Sequence, residues 1–214
     1  MISAADWLRV LAYCGVRFTT SVSWAKVFEE HVQPERFNLG ARELDDFVGQ
    51  ILHETALLEQ LAEKLNYSAK RIAEIGNQSP PGSRWRSLVP RAAELAMHPE
   101  AFANAVYGGR LGNTQPGDGA RFIGRGIPMV TGRDNYAMLA KLTGLPLLEQ
   151  PQLLAHPDGA MRCGVLWWEK RIPDSAIDSV ERVTRAVQGG QLGLLDRKQL
   201  TDKAGQALAS IGGT

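Results

Sequence analysis

The chain has 214 residues, enough for one domain, or one domain with a small lobe, around a real hydrophobic core. Its 24 Lys and Arg residues nearly cancel its 23 Asp and Glu residues, and a formal net charge of +1 excludes a global field drawing it onto nucleic acid or a membrane surface. With 44% hydrophobic and 22% charged residues it reads as a soluble globular protein, and no apolar run approaches membrane-spanning length.

At the N-terminus Ser3 is a candidate N-cap with Asp6 at the capping-box position, which predicts a helix through Tyr13. The same segment carries Asp6 early and Arg9 and Arg17 around a short apolar run. It lacks the basic start, long apolar stretch and small-residue cleavage site of a secretory signal, so synthesis in a reducing cytoplasm is the expectation. Cys14 and Cys163, isolated in apolar surroundings without CxxC spacing, read as buried free thiols. A second helix is predicted from Ser21 or Ser23 to His31.

In the next stretch Phe47, Ile51 and Leu58 repeat at the spacing of a buried helix face, placing Glu54 among apolar neighbours. An ionised carboxyl taken out of water without a partner is costly and tends to take up a proton, the state that general-acid catalysis requires. Glu59 and Glu63 offer a second carboxylate. On a continuous helix Glu63 would lie roughly 13 Å along the axis from Glu54 and on the opposite face. The segment ETALLEQLAEKL is good helix material, so the local pattern favours one long amphipathic helix with Glu59 and Glu63 on its solvated side. A turn back near Leu57 or Leu58, which would let Glu63 face Glu54, is the alternative.

Asn66, Tyr67 and Ser68 read as a turn with an aromatic plug; Ser68 caps a short helix over AKRIAEI, and Gly76 ends it. NQSPPGSRWR, residues 77–86, reads as a surface loop, a flap within a domain. Helical patterns return in SLVPRAAELAMH and in PEAFANAVYG, the latter opened by Pro99. Glycine dominates residues 108–126, predicting turns or close approach to a ligand in place of regular structure. Pro128 argues against a central strand at 127–130. Further helices are predicted over 131–142, 156–169, VERVTRAVQ after Ser179 up to Gly189 and Gly190, and GLLDRKQLTDKAGQAL.

His53-Glu54 opens like the HExxH zinc helix, but position 57 is Leu, and His31, His98 and His156 have no ligand spacing, so no metal is expected. His53 reads as a structural residue beside Glu54. The absence of GxSxG and of a cysteine nucleophile motif argues against acyl transfer, and the glycines at 124 and 126 do not follow a strand as a nucleotide site requires. No cofactor is expected. RFIGRGIPMVTGRDNY instead gathers Arg125, Thr131, Asn135 and Tyr136 after a glycine hinge. Guanidinium, hydroxyl and amide groups suit sugar hydroxyls and acetamido groups, and Thr131 can hold a water; the plainer alternative is a structural turn with Arg125 in a salt bridge.

HET followed by LNYSA, then AVYGGRLGN and GRGIPMVTGRDNY, give the chain a pattern that resembles the family 19 glycoside hydrolases, which include plant-type chitinases and compact phage endolysins. The resemblance runs from Phe47 to Ala207. It implies a mainly α-helical, lysozyme-like bilobal fold with a central cleft and little or no β structure, as one catalytic domain over 1–214 with a small lobe or flap around 69–110. It also implies inverting hydrolysis, with Glu54 as general acid, Glu63 as the base that activates water, and Thr131 holding that water. Asn135, Tyr67, Gln188, Arg197 and Arg125 are the implied substrate contacts, Arg197 lying near the acidic pair. An inverting pair needs carboxyl groups roughly 6.5–9.5 Å apart, which favours the broken helix over the long one.

Three features depart from the family pattern. Met129 stands where a glutamine is usual, Gln188 replaces the asparagine of an Asn-Gly-Gly turn, and the loop from Gly112 to Gly119 is short, with Asp118 but no glutamate. The leading expectation is a monomeric phage-type endolysin acting on peptidoglycan glycan strands, reaching the periplasmic wall after the host membrane is opened and inserting into no membrane. Chitinase and lytic transglycosylase activities are the enzymatic alternatives, and a glycan-binding protein derived from the hydrolase is the non-enzymatic one.

Overall fold

The N-terminal capping box closes as its spacing predicts. In the computed structural model, which describes residues 1–212, Asp6 N–H donates to Ser3 Oγ at 3.2 Å and α1 (Ala4–Tyr13) follows. Next come α2 (Phe18–His31), which starts before the predicted serines, and α3 (Leu44–Glu54). The middle of the chain carries α4 (Ala69–Gln78), α5 (Arg84–Ser87), α6 (Ala92–Leu95), α7 (Pro99–Tyr107), α8 (Asp118–Arg121) and α9 (Arg133–Thr143). The chain then forms α10 (Pro157–Arg171), α11 (Val180–Gln188) and α12 (Leu194–Gly212). Among the described residues there is no strand beyond two isolated bridges, Ala62 with Arg125 and Arg125 with Val130. The protein is mainly α.

The helices sort into two units. The first comprises residues 1–61, 126–128 and 153–214, and the second residues 62–125 and 129–152, wider than the lobe expected over 69–110. In the first, Trp7, Phe28, Phe47, Leu52 and Trp168 form a buried core. Phe47 stands edge-on to Phe37 at 5.1 Å and to Trp168 at 5.3 Å, a geometry that suits aromatic quadrupoles. Cys14 and Cys163 are both buried, and burial pushes the Cys14 thiol up to about 11. In the second unit Leu65, Ile72, Leu95, Phe102 and Val106 make a separate core, against which Tyr67 and Trp85 pack.

The long helix favoured by local propensity does not form. α3 stops at Glu54, and Ala56, Leu57 and Leu58 follow with φ of 48°, 61° and 67°, a left-handed turn made without glycine. Thr55 is the cause. Fully buried, its hydroxyl donates to Ile51 O at 2.6 Å and accepts from Leu58 N–H at 2.9 Å, while its carbonyl accepts from Gln60 N–H at 2.9 Å. Those bonds replace the helical ones that would have continued α3. Glu63 therefore lies in extended chain beyond the turn and not on the far face of a helix, and Glu59 is spent on Arg17 and Thr20 at the surface.

Gly76 also differs from expectation. α4 runs past it to Gln78, and a Cβ at Gly76 would sit 2.3 Å from Val89 Cγ2 and 2.8 Å from Trp85 O. The glycine admits a neighbouring segment; it does not end the helix. The loop predicted over 77–86 shrinks to the residues between α4 and α5. SLVPRAAELAMH breaks into short turns around α6, and the glycine-rich segment holds the single turn of α8.

α3 and α12 approach closely because residue 49 is glycine. A Cβ there would fall 2.1 Å from Thr201 Oγ1 and 2.7 Å from Thr201 N. Gly49→Ala is expected to force the two helices apart and to cost about 1–3 kcal/mol, read as a lower denaturant midpoint at unchanged slope.

Around the same helix lie three acids with no guanidinium or ammonium group bonded to them. Glu43 accepts from Trp168 Nε1–H and Leu39 N–H at 2.7 Å each, while Asp46 Oδ1 and Glu169 Oε1 are buried without a partner. Burial, then neighbouring Asp45, pushes Asp46 up to about 7; burial, then Glu43, pushes Glu169 up to about 7. Carboxyls raised from 3.8 and 4.5 hold protons in the folded chain that the unfolded chain releases, so their contribution to stability falls as pH rises through that window. Thermal melts are expected to show a higher Tm near about pH 5 than near about pH 7.5, a slope that Asp46→Asn with Glu169→Gln flattens.

Candidate active site

Each unit builds one group of side chains around one carboxyl. In the first, Glu54 is the last residue of α3, half-buried, with its side chain 24% exposed. It is not the unpartnered acid that the sequence predicts. Arg197 on α12 donates Nη2–H to Glu54 Oε1 at 2.5 Å and Nη1–H to Gln50 Oε1 at 2.5 Å, and Nε–H to Leu192 O at 3.3 Å. Gln50 passes the chain of bonds on to Thr184 Oγ1 of α11 at 3.2 Å. Glu54 Oε2 has no protein hydrogen bond among the described residues. One oxygen is held and the other is available.

The helix spacing that puts Glu54 against Arg197 puts its neighbour His53 against Asp196, Nδ1 to Oδ2 at 2.5 Å. Two adjacent residues on α3 thus meet two adjacent residues on α12. Gly193 lets the turn before α12 cover the imidazole, since a Cβ there would lie 2.4 Å from His53 Cε1. His53 is thus engaged by Asp196 beside Glu54. The only group of three potential metal ligands among the described residues is Glu30, His31 and Asp158, where His31 Nε2 is bonded to Asp158 Oδ1 at 2.7 Å.

Arg197 is corrected from a sugar contact to a positioning residue: it is 2% exposed, and all three of its nitrogens are bonded to the protein. Gln188 lies beside the same turn. It is exposed, and its Nε2–H donates to Leu192 O at 2.7 Å, the carbonyl that Arg197 also uses, so its amide closes the turn after α11. The left-handed Gly189, at φ 78°, caps that helix.

In the second unit Glu63 sits in extended chain paired with the segment around Gly124. Glu63 N–H donates to Gly124 O at 2.9 Å, and Gly124 N–H returns a bond to Glu63 Oε1 at 2.5 Å. Tyr107, the last residue of α7, donates Oη–H to Glu63 Oε2 at 2.7 Å. Burial first, and then the Glu63 carboxyl, raise the Tyr107 phenol above its usual range, which keeps it a donor. Thr131 closes the group: a Cβ on Gly124 would lie 3.2 Å from Thr131 Oγ1 and 3.3 Å from Glu63 Oε1. Thr131 Oγ1 has no protein hydrogen bond among the described residues, which leaves it free for a water.

The surroundings of Thr131 are fixed from both sides. Asn135 Nδ2–H donates to Thr131 O at 2.7 Å, and the Arg133 guanidinium grips buried Asp118 at 2.9 Å and 2.6 Å, holding that carboxyl below the usual carboxylate range. Arg125 makes no salt bridge among the described residues; it donates to Arg121 O at 2.8 Å and to Tyr136 Oη at 3.1 Å, and Tyr136 in turn donates to Ile123 O. Tyr67 is the plug its position predicts, with its ring 5.1 Å from Phe102 and 5.6 Å from Trp85. Tyr107, Gln50 and the Gly124 amide escaped the sequence reading. The first lies inside the AVYGG motif, and Gln50 is a polar residue inside the apolar stripe of α3, a signal of a buried network.

No protein-family model matches the chain. A glycosyl hydrolase family 19 domain-containing protein of Haemophilus influenzae is 32% identical over 159 residues, which cover 72% of this chain and 74% of that protein. Two endochitinases of Arabidopsis thaliana are 32% and 31% identical over 74 residues, 34% of this chain; the chain spans 26% of their length. Among solved structures, chitinase C from Streptomyces griseus is similar in fold, with a TM-score of 0.56 at 15% identity over 97% of this chain and 92% of that one. A variant of chitinase C gives 0.52 at 14% identity over the same shares. The mainly α, lysozyme-like fold is shared with these chitinases, and with a relative matched over about three quarters of both sequences the chain belongs to glycoside hydrolase family 19, as a chitinase-like glycoside hydrolase.

Proposed function

We propose that this glycoside hydrolase cleaves β-1,4 bonds of bacterial peptidoglycan by inversion, as a phage-type bacteriolytic enzyme. The observation that carries the mechanism is the unlike holding of two carboxyl groups. Glu54 keeps one oxygen on Arg197, which fixes its rotamer, and leaves the other unbonded among the described residues, so the unbonded oxygen is the one from which a proton would pass to the leaving glycosidic oxygen. Glu63 accepts at both oxygens, from Gly124 N–H and Tyr107 Oη–H, beside the free hydroxyl of Thr131. An ionised carboxylate is an acceptor only, and a hydroxyl beside it can orient the water it activates. Asn135 sets Thr131 in place by holding its carbonyl. The enzyme is made in the host cytoplasm and reaches the wall once the membrane is opened.

The reading requires both carboxyls to serve one sugar ring, and the product's configuration reports on that. Proton NMR of freshly digested wall is expected to show the inverted anomer first; retention, or an anhydro-sugar end, overturns inversion. Glu54→Gln and Glu63→Gln are each expected to lower kcat by about 10²- to 10⁴-fold while circular dichroism and melting remain those of the parent. Lysis of permeabilised Gram-negative cells undiminished in Glu54→Gln overturns the acid's role. Tyr107→Phe removes one of two donors to Glu63 and is expected to lower kcat about 5- to 30-fold, the equivalent of about 1–2 kcal/mol.

A second substrate is favoured by the relatives' names, which are those of chitinases and endochitinases. Parallel assays on chitin oligomers and purified peptidoglycan separate the two, and the higher kcat/KM identifies the polymer.

A further inference from the structure

Beside Glu63 the second unit carries a hollow of about 810 Å³ whose lining is charged. Lys64 and Glu100 enter it from different parts of the chain; both are exposed, and neither makes an ion pair or side-chain hydrogen bond among the described residues. Arg121 is a further charge, and its guanidinium hydrogen-bonds only backbone carbonyls among the described residues, Leu148 O at 2.8 Å and Glu149 O at 2.9 Å, with Asp118 the carboxylate that feels its charge. Ala103 and Ile123 contribute an apolar lining. Two cations, Lys64 and Arg121, and two acids, Glu100 and the proposed base Glu63, thus converge on one cavity.

A β-1,4 polymer of N-acetylglucosamine carries neutral acetamido groups and gives such charges nothing to meet. A peptidoglycan strand carries a short peptide on its lactyl ether, with free carboxylates and, where the diamino acid is not cross-linked, an ammonium group. We infer that this hollow receives the charged peptide stem of the strand, with Lys64 and Arg121 facing stem carboxylates and Glu100 facing its ammonium group. Lys64, next in sequence to Glu63, then makes the stem part of what the site recognises. The inference rests on the peptidoglycan reading above and narrows it, since the stem and not the sugar sequence alone becomes the feature that distinguishes wall from chitin.

The test uses the full chain with two probes, a wall-derived disaccharide-tetrapeptide and the same disaccharide freed of its peptide by an amidase. Titration calorimetry is expected to show about tenfold tighter binding of the stem-bearing probe. Lys64→Gln and Glu100→Gln are each expected to weaken that probe by about threefold or more and to leave the stem-free one unchanged. Equal affinity for the two probes, or a parallel loss on both, overturns the assignment. Turnover of wall glycan that ignores the stem overturns the pocket and leaves the hydrolase standing. Stem-dependent binding with no turnover of wall overturns the peptidoglycan hydrolase and leaves the pocket standing.

Discussion

A guanidinium cannot shed its charge, so one that is buried must be surrounded by acceptors. Arg197 imposes that condition on the first unit. Its acceptors are Gln50 and Glu54 from α3 and Leu192 from the turn before α12, and Gln50 reaches on to Thr184 of α11. Three helices are tied through one side chain. The approach is close enough only because residue 49 has no Cβ to meet Thr201. The placement of Glu54 follows from the burial of a charge, and the rotamer of the proposed acid is set before any sugar arrives.

The second carboxyl is held by the opposite means. Among the described residues no cation is bonded to Glu63; an amide and a phenol are. Acids in unlike surroundings can divide the work of donating and accepting protons, which is how one pair of chemically similar side chains takes two roles. Family membership supplies the reaction class.

Much of this architecture is legible in the sequence because it is local. The Ser3 and Asp6 capping box, the Ser68 and Ser179 caps, the helical stripe through Phe47 and Ile51 and the thiol character of both cysteines need only nearest neighbours. What was not legible depends on groups distant in sequence or on a side chain acting against propensity. Thr55 halts a helix that the residues after it would extend, Gly76 serves a neighbour and not a helix end, and Glu54 meets an arginine 143 positions away. Asn135 and Thr131 could be picked out by type, while Tyr107 hid in a motif because a tyrosine at a helix end shows nothing of its phenol's destination. Arg197 was found but given to the sugar, since sequence shows which donors exist and not which are already engaged.

The turn at Ala56, Leu57 and Leu58 bears on how this protein can be altered. Left-handed backbone at a residue with a side chain costs of order 1–3 kcal/mol, and three such residues stand in succession, sustained by the Thr55 network, by Leu57 N–H bonded to Leu52 O at 2.7 Å and by the burial of Leu58. The usual recipe for a sturdier helical protein fills such a segment with better helix formers. Here it would reward the continuous rod that the chain already half prefers, drawing Glu63 out of its pairing with Gly124. Robustness and the proposed chemistry compete for the same turn, and a variant selected solely for heat tolerance stands to lose the placement of Glu63 while keeping every helix it began with.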